Sequence, residues 1–166
     1  MSFHDPAVQA VFAQYAQRLE AHAAKMRALG AEGYVRRDEF LLPVGEQAGW
    51  LLHALIIVRA PKWICGLGRS YGYSTLFLVD APRQIGAQLV IMELADYKQE
   101  HARTQLERAG LADHVDFRCG NALDLLKQDD GPWDFVLFDI WKDLYVSCLK
   151  RSIRTFRKRP WSAPTT

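Results

Sequence analysis

Between Pro6 and Leu29 the apolar residues Val8, Val11, Phe12, Tyr15, Leu19, Ala23, Met26 and Leu29 recur every three or four positions, the spacing that gathers them on one face of an α-helix. Gly30 follows, where a helix commonly exits through a left-handed residue. After a polar stretch containing Gly33 and Arg36–Glu39, the segment Gly45–Ala60 carries Trp50, Leu51, Leu52, Leu55 and Ile56 at helical spacing, and Pro61 ends it. Beyond Pro61 the period changes. Short apolar runs at Trp63–Gly68, Gln88–Glu93, Val115–Cys119 and Trp133–Asp139 predict strands, and amphipathic segments at Tyr71–Pro82, Asp96–Ala109 and Ala122–Lys127 predict the helices between them. Strands separated by helices pair in parallel through right-handed crossovers, so the expected fold class is a doubly wound α/β domain with helices on both faces of the sheet. Such sheets bind ligands at the carboxyl ends of their strands, where the strand order reverses.

Composition narrows the class without naming a function. The chain has 166 residues, 49% hydrophobic and 24% charged, the balance of one ordinary folded domain rather than of a disordered or fibrous chain. Cys65, Cys119 and Cys148 are far apart, with no C-x-x-C pair and no histidine at zinc-ligand spacing, so free thiols in a reducing compartment are expected. The start M-S-F-H-D-P does not read as a signal peptide. The longest apolar run, Trp50–Val58, is interrupted by His53 and too short to span a bilayer. A cytoplasmic protein without a membrane partner is the expectation.

Charge is unevenly placed. The first 146 positions hold 15 basic and 19 acidic residues, a net −4, whereas Lys150, Arg151, Arg154, Arg157, Lys158 and Arg159 give the last twenty +6. A nucleic-acid-binding module using this tail is one alternative, but the acidic body and the lack of an interleaved aromatic and basic surface pattern disfavour it.

Four strand ends carry residue types suited to a nucleotide-like ligand. The first runs into G-L-G-R-S-Y-G-Y-S-T, where Gly66, Gly68 and Gly72 allow a tight turn and close backbone approach. The spacing is one residue longer than the dinucleotide fingerprint, and a glycine turn without a ligand is the bland alternative. The second ends in Glu93, a carboxylate able to accept hydrogen bonds from both hydroxyls of a ribose, or else a solvated strand end. At the third, Asn121 beside Ala122 suits an adenine edge, or an Asx turn starting a short helix. The fourth ends in F-D-I-W-K-D. There Asp139 needs a partner, and the candidates are a divalent metal, a ligand ammonium or Lys142. A nicotinamide-dependent oxidoreductase could use the glycine turn and Glu93, but would leave D-I-W-K-D unused.

The order of L-L-P-V-G (41–45), S-Y-G-Y-S-T (70–75), I-M-E-L (91–94), A-G-L-A-D-H-V (109–115) and F-D-I-W-K-D-L-Y (138–145) resembles the S-adenosylmethionine-dependent O-methyltransferases of the catechol O-methyltransferase type. The likeness covers about residues 40–149. It implies a Rossmann-like class I methyltransferase fold, with a helical region at 1–43, a cofactor domain at 44–149 and a basic tail at 150–166 outside the family pattern. It further implies that Val44 touches the methionine part of the cofactor through its backbone, that Gly68 and Ser70 line the cofactor turn, and that Ser74 lies near the methionine carboxylate. Glu93 would hold the ribose, and Asn121 and Ala122 would border the adenine with Ile140 and Trp141 on its other side. Asp139 would sit near the methionine ammonium and ligate a Mg2+-like cation, and Lys142 would be the general base toward a small phenolic or catechol-like acceptor.

The sequence departs from that pattern in three places. Gly66 stands where the family usually has an acidic residue, and a glycine inside a strand is expected to weaken it. Asn121 stands where related bacterial enzymes often carry Asp. After the fourth strand's helix, the family's fifth strand with its metal-completing Asp-Asn pair is not found. The expectation is a truncated methyltransferase whose last 17 or so residues are abnormal, whose metal site is incomplete, and whose fourth strand is an exposed edge inviting pairing with another chain, including a second copy.

Overall fold

The computed structural model describes residues 2–36, 39–128 and 131–156. The helices are α1 (Pro6–Leu29), α2 (Ala31–Val35), α3 (Glu46–Arg59), α4 (Tyr73–Ile85), α5 (Asp96–Arg108), α6 (Ala122–Gln128) and α7 (Lys142–Thr155). The strands are β1 (Trp63–Leu67), β2 (Gln88–Glu93), β3 (Val115–Cys119) and β4 (Phe135–Phe138). They form one parallel sheet in the order β3-β2-β1-β4. The order runs outward from β1 to β3 and then crosses back to β4, so the reversal lies between β1 and β4. The expected α/β class and all four strand positions are found.

Alternation along β1 sorts the core. Ile64 faces a cluster built from α1, α3, α4 and α5, including Val8, Val11, Tyr15, Ile56, Phe77 and Leu106. Cys65 and Leu67 face the other side, against Ala122 and Leu126 of α6, Cys148 of α7 and Trp133. Successive strand residues point to opposite faces, so a sheet covered on both sides reads as an unbroken apolar run. At β4 the four residues are only partly buried, and among the described strands β4 pairs with β1 alone.

α2 falls in the stretch read as polar, β4 begins at Phe135 rather than Trp133, and two further differences bear on the elements around the site. Helix α4 starts at Tyr73 because Gly72 takes φ +91°, which breaks the helical backbone before it. It then continues past Pro82 to Ile85 and leaves through Gly86 at φ +70°. The second difference is α7, amphipathic to Thr155 and so taking in Lys150 to Arg154 of the basic stretch. Arg151 donates through Nε to the Leu126 carbonyl at 3.0 Å and through Nη2 to that of Lys127 at 3.3 Å, closing the end of α6. Positions 157–166, which hold the rest of that stretch, lie outside the described residues.

Helix α1 braces the turn after β1. The Tyr15 hydroxyl donates to the Tyr71 carbonyl at 2.5 Å, and the Arg18 guanidinium lies 4.2 Å from the centre of the Tyr71 ring. Two histidines on this brace are held neutral. His22 Nδ1 accepts from the Leu41 amide at 2.8 Å, and His101 Nε2 accepts from Arg18 Nη1 at 2.7 Å, since a guanidinium can only donate. Burial, then Arg18, lowers the pKa of both below the ordinary 6.5, with Lys25 adding to the effect on His22. The unfolded chain therefore takes up these protons first, and stability falls as pH drops from 6.5 through the lowered folded values. Urea unfolding midpoints should accordingly be lower at pH 5.5 than at 7.5, and replacing both histidines with glutamine should flatten that dependence.

Candidate functional site

The carboxyl ends of the four strands surround a cavity of about 360 Å3, within the size range of small-molecule sites. Its floor is made by backbone groups locked together across the sheet. The Gly68 amide donates to the Met92 carbonyl at 2.7 Å, Asp139 N to Leu67 O at 2.9 Å, and Gly120 N to Glu93 O at 2.9 Å. Gly68 has φ +70°, and a Cβ there would lie 2.4 Å from the Asp139 carbonyl oxygen. Only glycine lets β1 and the end of β4 come this close.

Glu93 ends β2 with its side chain buried. Its Oε2 accepts from the Ser70 amide at 2.7 Å and its Oε1 from the Ala95 amide at 3.1 Å. Ser70 is in the left-handed region at φ +48°, so the carboxylate also pins a strained residue of the turn. Each carboxylate oxygen has two lone-pair sites, and one on each remains for a ligand hydroxyl. Asn121 Oδ1 accepts from the Leu123 amide at 3.0 Å, the arrangement that starts α6. An adenine amino group would share that oxygen through its second lone pair.

Eight of the eleven residues expected to act here line the cavity: Gly68, Ser70, Glu93, Asn121, Ala122, Asp139, Ile140 and Trp141. Val44, Ser74 and Lys142 do not. Val44 precedes α3 and is half-buried; Ser74 is buried in the first turn of α4. Lys142 is the exposed first residue of α7 rather than a partly desolvated side chain. Phe40, Leu42, Tyr97 and Lys98 also line the wall and were not anticipated. The last two open α5, directly after the β2 carboxylate. The signal for them was their place in D-Y-K, since the first turn of a helix following a strand end lies on the crevice. Lys98 is buried, with its ammonium 5.6 Å from the centre of the Tyr71 ring and 6.0 Å from that of Tyr97.

The partner of Asp139 was also missed. It is Arg69, whose Nη2 lies 3.3 Å from Asp139 Oδ2. Burial weakens the hold of this guanidinium on its proton, while Asp139 and then Glu93 strengthen it. Gly66, paired with Ile91 and Leu137 in the middle of the sheet, has the Arg69 stem over it: a Cβ at Gly66 would be 3.0 Å from Arg69 Cδ and 2.8 Å from Ile91 Cδ1. The absence of a side chain at Gly66 thus leaves the space that the Arg69 stem occupies.

The fold that positions these residues is shared with known proteins. The family model for O-methyltransferases matches residues 22–160, and the chain belongs to that family. A catechol O-methyltransferase of Mycobacterium tuberculosis is 32% identical over 118 residues, covering 70% of this chain and 53% of that protein. The caffeoyl-CoA O-methyltransferase 2 of Eucalyptus globulus is 32% identical over 119 residues, covering 68% and 48%. An O-methyltransferase from Bacillus cereus, solved in complex with SAH, superposes with a TM-score of 0.68 at 26% identity, covering 95% of this chain and 64% of that one. The chain spans about half the length of the curated relatives it matches.

Proposed function

We propose that this chain carries the S-adenosylmethionine site of an O-methyltransferase that acts on the hydroxyl of a small phenolic or catechol-like acceptor. The observation that carries the reading is the joining of the Gly68 turn to Glu93 on one side and its close approach to the end of β4 on the other, in a cavity also lined by Asp139, Ile140 and Trp141. A glycine turn lets a ligand approach the backbone, a buried carboxylate accepts the ribose hydroxyls, and Asn121 and Trp141 border a flat ring. The cofactor supplies a methyl group on a positively charged sulfur. An oxygen–carbon bond forms as the carbon–sulfur bond breaks, and the hydroxyl proton must leave to a base.

Most of the work left to the protein is positioning, because displacement at carbon needs the acceptor oxygen in line with the departing sulfur. We assign the proton to Lys142, the exposed first residue of α7, which directly follows the cavity-lining Trp141 in the chain. A divalent cation, which the family resemblance implies, does not fit the described residues. Glu93 and Asp139 are the only carboxylates among the described residues lining the cavity, and Asp139 Oδ2 is paired with Arg69. No group of three His, Cys, Asp or Glu among the described residues could hold a metal ion, and a hard cation takes about six or more oxygens. Among the described residues, no helix is long and apolar enough to cross a membrane.

Methyl-labelled S-adenosylmethionine incubated with catechol or caffeoyl-CoA should give labelled ether. Lys142→Met should lower the rate about 100-fold, the scale of a lost general base, while leaving cofactor affinity unchanged. Saturable cofactor binding with no labelled product from any hydroxyl acceptor would overturn the assignment.

A further inference from the structure

Three layers of the fold end on the same side with apolar surface uncovered. In the sheet, β4 is the outermost strand and pairs with β1 alone among the described strands. Its sequence F-V-L-F is apolar on both faces: Phe135 and Leu137 pack toward the α3 and α4 side, Val136 and Phe138 toward α6 and α7. On the first face α5 lies over β2 and β3, α4 stands beside it, and α3 beyond α4, on the β4 side. Gly49 of α3 sits against Phe77 of α4, whereas Leu51, Leu55 and Val58 share the opposite flank at i, i+4 and i+7. On the second face Arg151 holds α7 to α6, and Tyr145, Val146, Leu149 and Ile153 form a stripe turned away from it. The apolar residues of both flanks are 42–63% exposed. Single exposed apolar residues are ordinary, but a continuous set across three layers marks an interaction surface.

The chemistry of the edge selects what covers it. The Asp139 amide donates to Leu67 on β1, so alternation along the ladder turns the N–H and C=O of Val136 and Phe138 to the free side. There the Phe138 carbonyl already accepts from the Tyr145 hydroxyl at 3.1 Å. Val136 is left as the residue of β4 that presents both groups. Two antiparallel strands exchange both hydrogen bonds at one residue pair, and Val136 opposite its own copy meets that condition, with a two-fold axis between them. The same axis sets two α7 helices side by side in opposite directions. Asp143, Lys150 and Arg154 lie on one flank of α7, at i, i+7 and i+11. Running the copies oppositely brings the acidic end of each to the basic end of the other. A strand entering between two apolar layers must also be apolar on both faces, and F-V-L-F is. Positions 157–166, R-K-R-P-W-S-A-P-T-T, offer one large apolar residue and two prolines that lack an N–H, so they do not match.

We propose that this end of the molecule docks a second copy of the chain, β4 pairing antiparallel with β4 about a two-fold axis at Val136 while the exposed flanks of α3 and α7 meet their counterparts. The interface stands apart from the choice of ligand in the cavity, so it holds or fails independently of the methyltransferase reading.

Sedimentation velocity on the full chain across the micromolar range should show a reversible species of twice 18.9 kDa. Leu149→Glu and Leu55→Glu should each weaken it by about 30-fold or more, the scale of a lost hot-spot residue, with the far-UV circular dichroism unchanged. Asp143→Arg should weaken it as well, and adding Arg154→Asp should restore it, which a merely sticky surface would not do. Val136→Cys in a Cys119→Ser background should form an interchain disulfide on oxidation, because residues facing each other in a hydrogen-bonded antiparallel pair have Cα atoms about 5.5 Å apart, within reach of that bond. A monomer throughout the range overturns the proposal, as does growth into particles larger than a dimer. A dimer that survives both glutamates, or one without the cross-link, places the contact elsewhere and overturns it too. Should Val136→Cys fail to fold, the charge exchange between positions 143 and 154 decides the matter.

Discussion

Gly68→Ala should abolish the rise in unfolding temperature that S-adenosylhomocysteine produces, and should lower the unliganded midpoint as well. At φ +70° an alanine is strained by about 1–3 kcal/mol. Its Cβ would also stand 2.4 Å from the Asp139 carbonyl oxygen, a backbone atom with no rotamer to escape into. Relief requires β1 and β4 to separate at their carboxyl ends, where Asp139, Ile140 and Trp141 approach the turn. The expected loss is about 6–12 °C for a chain of this size, taking ~3 kcal/mol in total. Differential scanning fluorimetry with and without ligand reads both effects. A variant that keeps its ligand-induced shift would show that the turn and the end of β4 do not bound the binding site.

Glu93→Ala should act on stability and binding together. Removing the carboxylate leaves the Ser70 and Ala95 amides without their acceptor, at about 1–3 kcal/mol for each buried group. It also releases Ser70, held at φ +48°. Glu93→Gln keeps one acceptor oxygen and the side-chain shape, so it should lose roughly half as much stability. Both variants should bind S-adenosylhomocysteine more weakly by about 10- to 100-fold, because neither offers the ribose two carboxylate oxygens. Urea denaturation gives the first quantity and calorimetry the second. Full affinity in Glu93→Gln would remove the ribose from this position.

These predictions rest on features that the sequence disclosed unevenly. β1, β2 and β4 were legible because each is a short apolar run closed by glycine or a polar residue, as a sheet covered on both faces demands, whereas β3 alternates apolar and polar residues as V-D-F-R-C. Eight cavity residues were legible because they sit at strand ends, where the chain alone says which side chains share an edge. The start of α4 was not, since Tyr71 and Tyr73 are both buried aromatics and only the backbone at Gly72 separates turn from helix. Nor was the role of Pro82, read as a stop although α4 passes through it for another turn.

Arg69 illustrates the deeper limit. An arginine in a glycine-rich turn looks like a solvated charge, and its burial depends on a side chain that Gly66 lacks and on a carboxylate seventy residues away. Asp139 was recognised as needing a partner, with a divalent metal, a ligand ammonium or Lys142 as the candidates; Arg69 was not among them, and α7 leaves Lys142 exposed. The clue present in G-L-G-R was an arginine three positions after the glycine that stands where the resemblance leads one to expect an acid.

Isothermal titration of the purified chain with S-adenosylhomocysteine, set beside an identical titration with NAD, tests most directly whether this cavity is a methyl-donor site. A saturable one-to-one heat with S-adenosylhomocysteine, lost in Gly68→Ala and with no counterpart for NAD, is the expected result. Saturable binding of NAD with none of S-adenosylhomocysteine would contradict it.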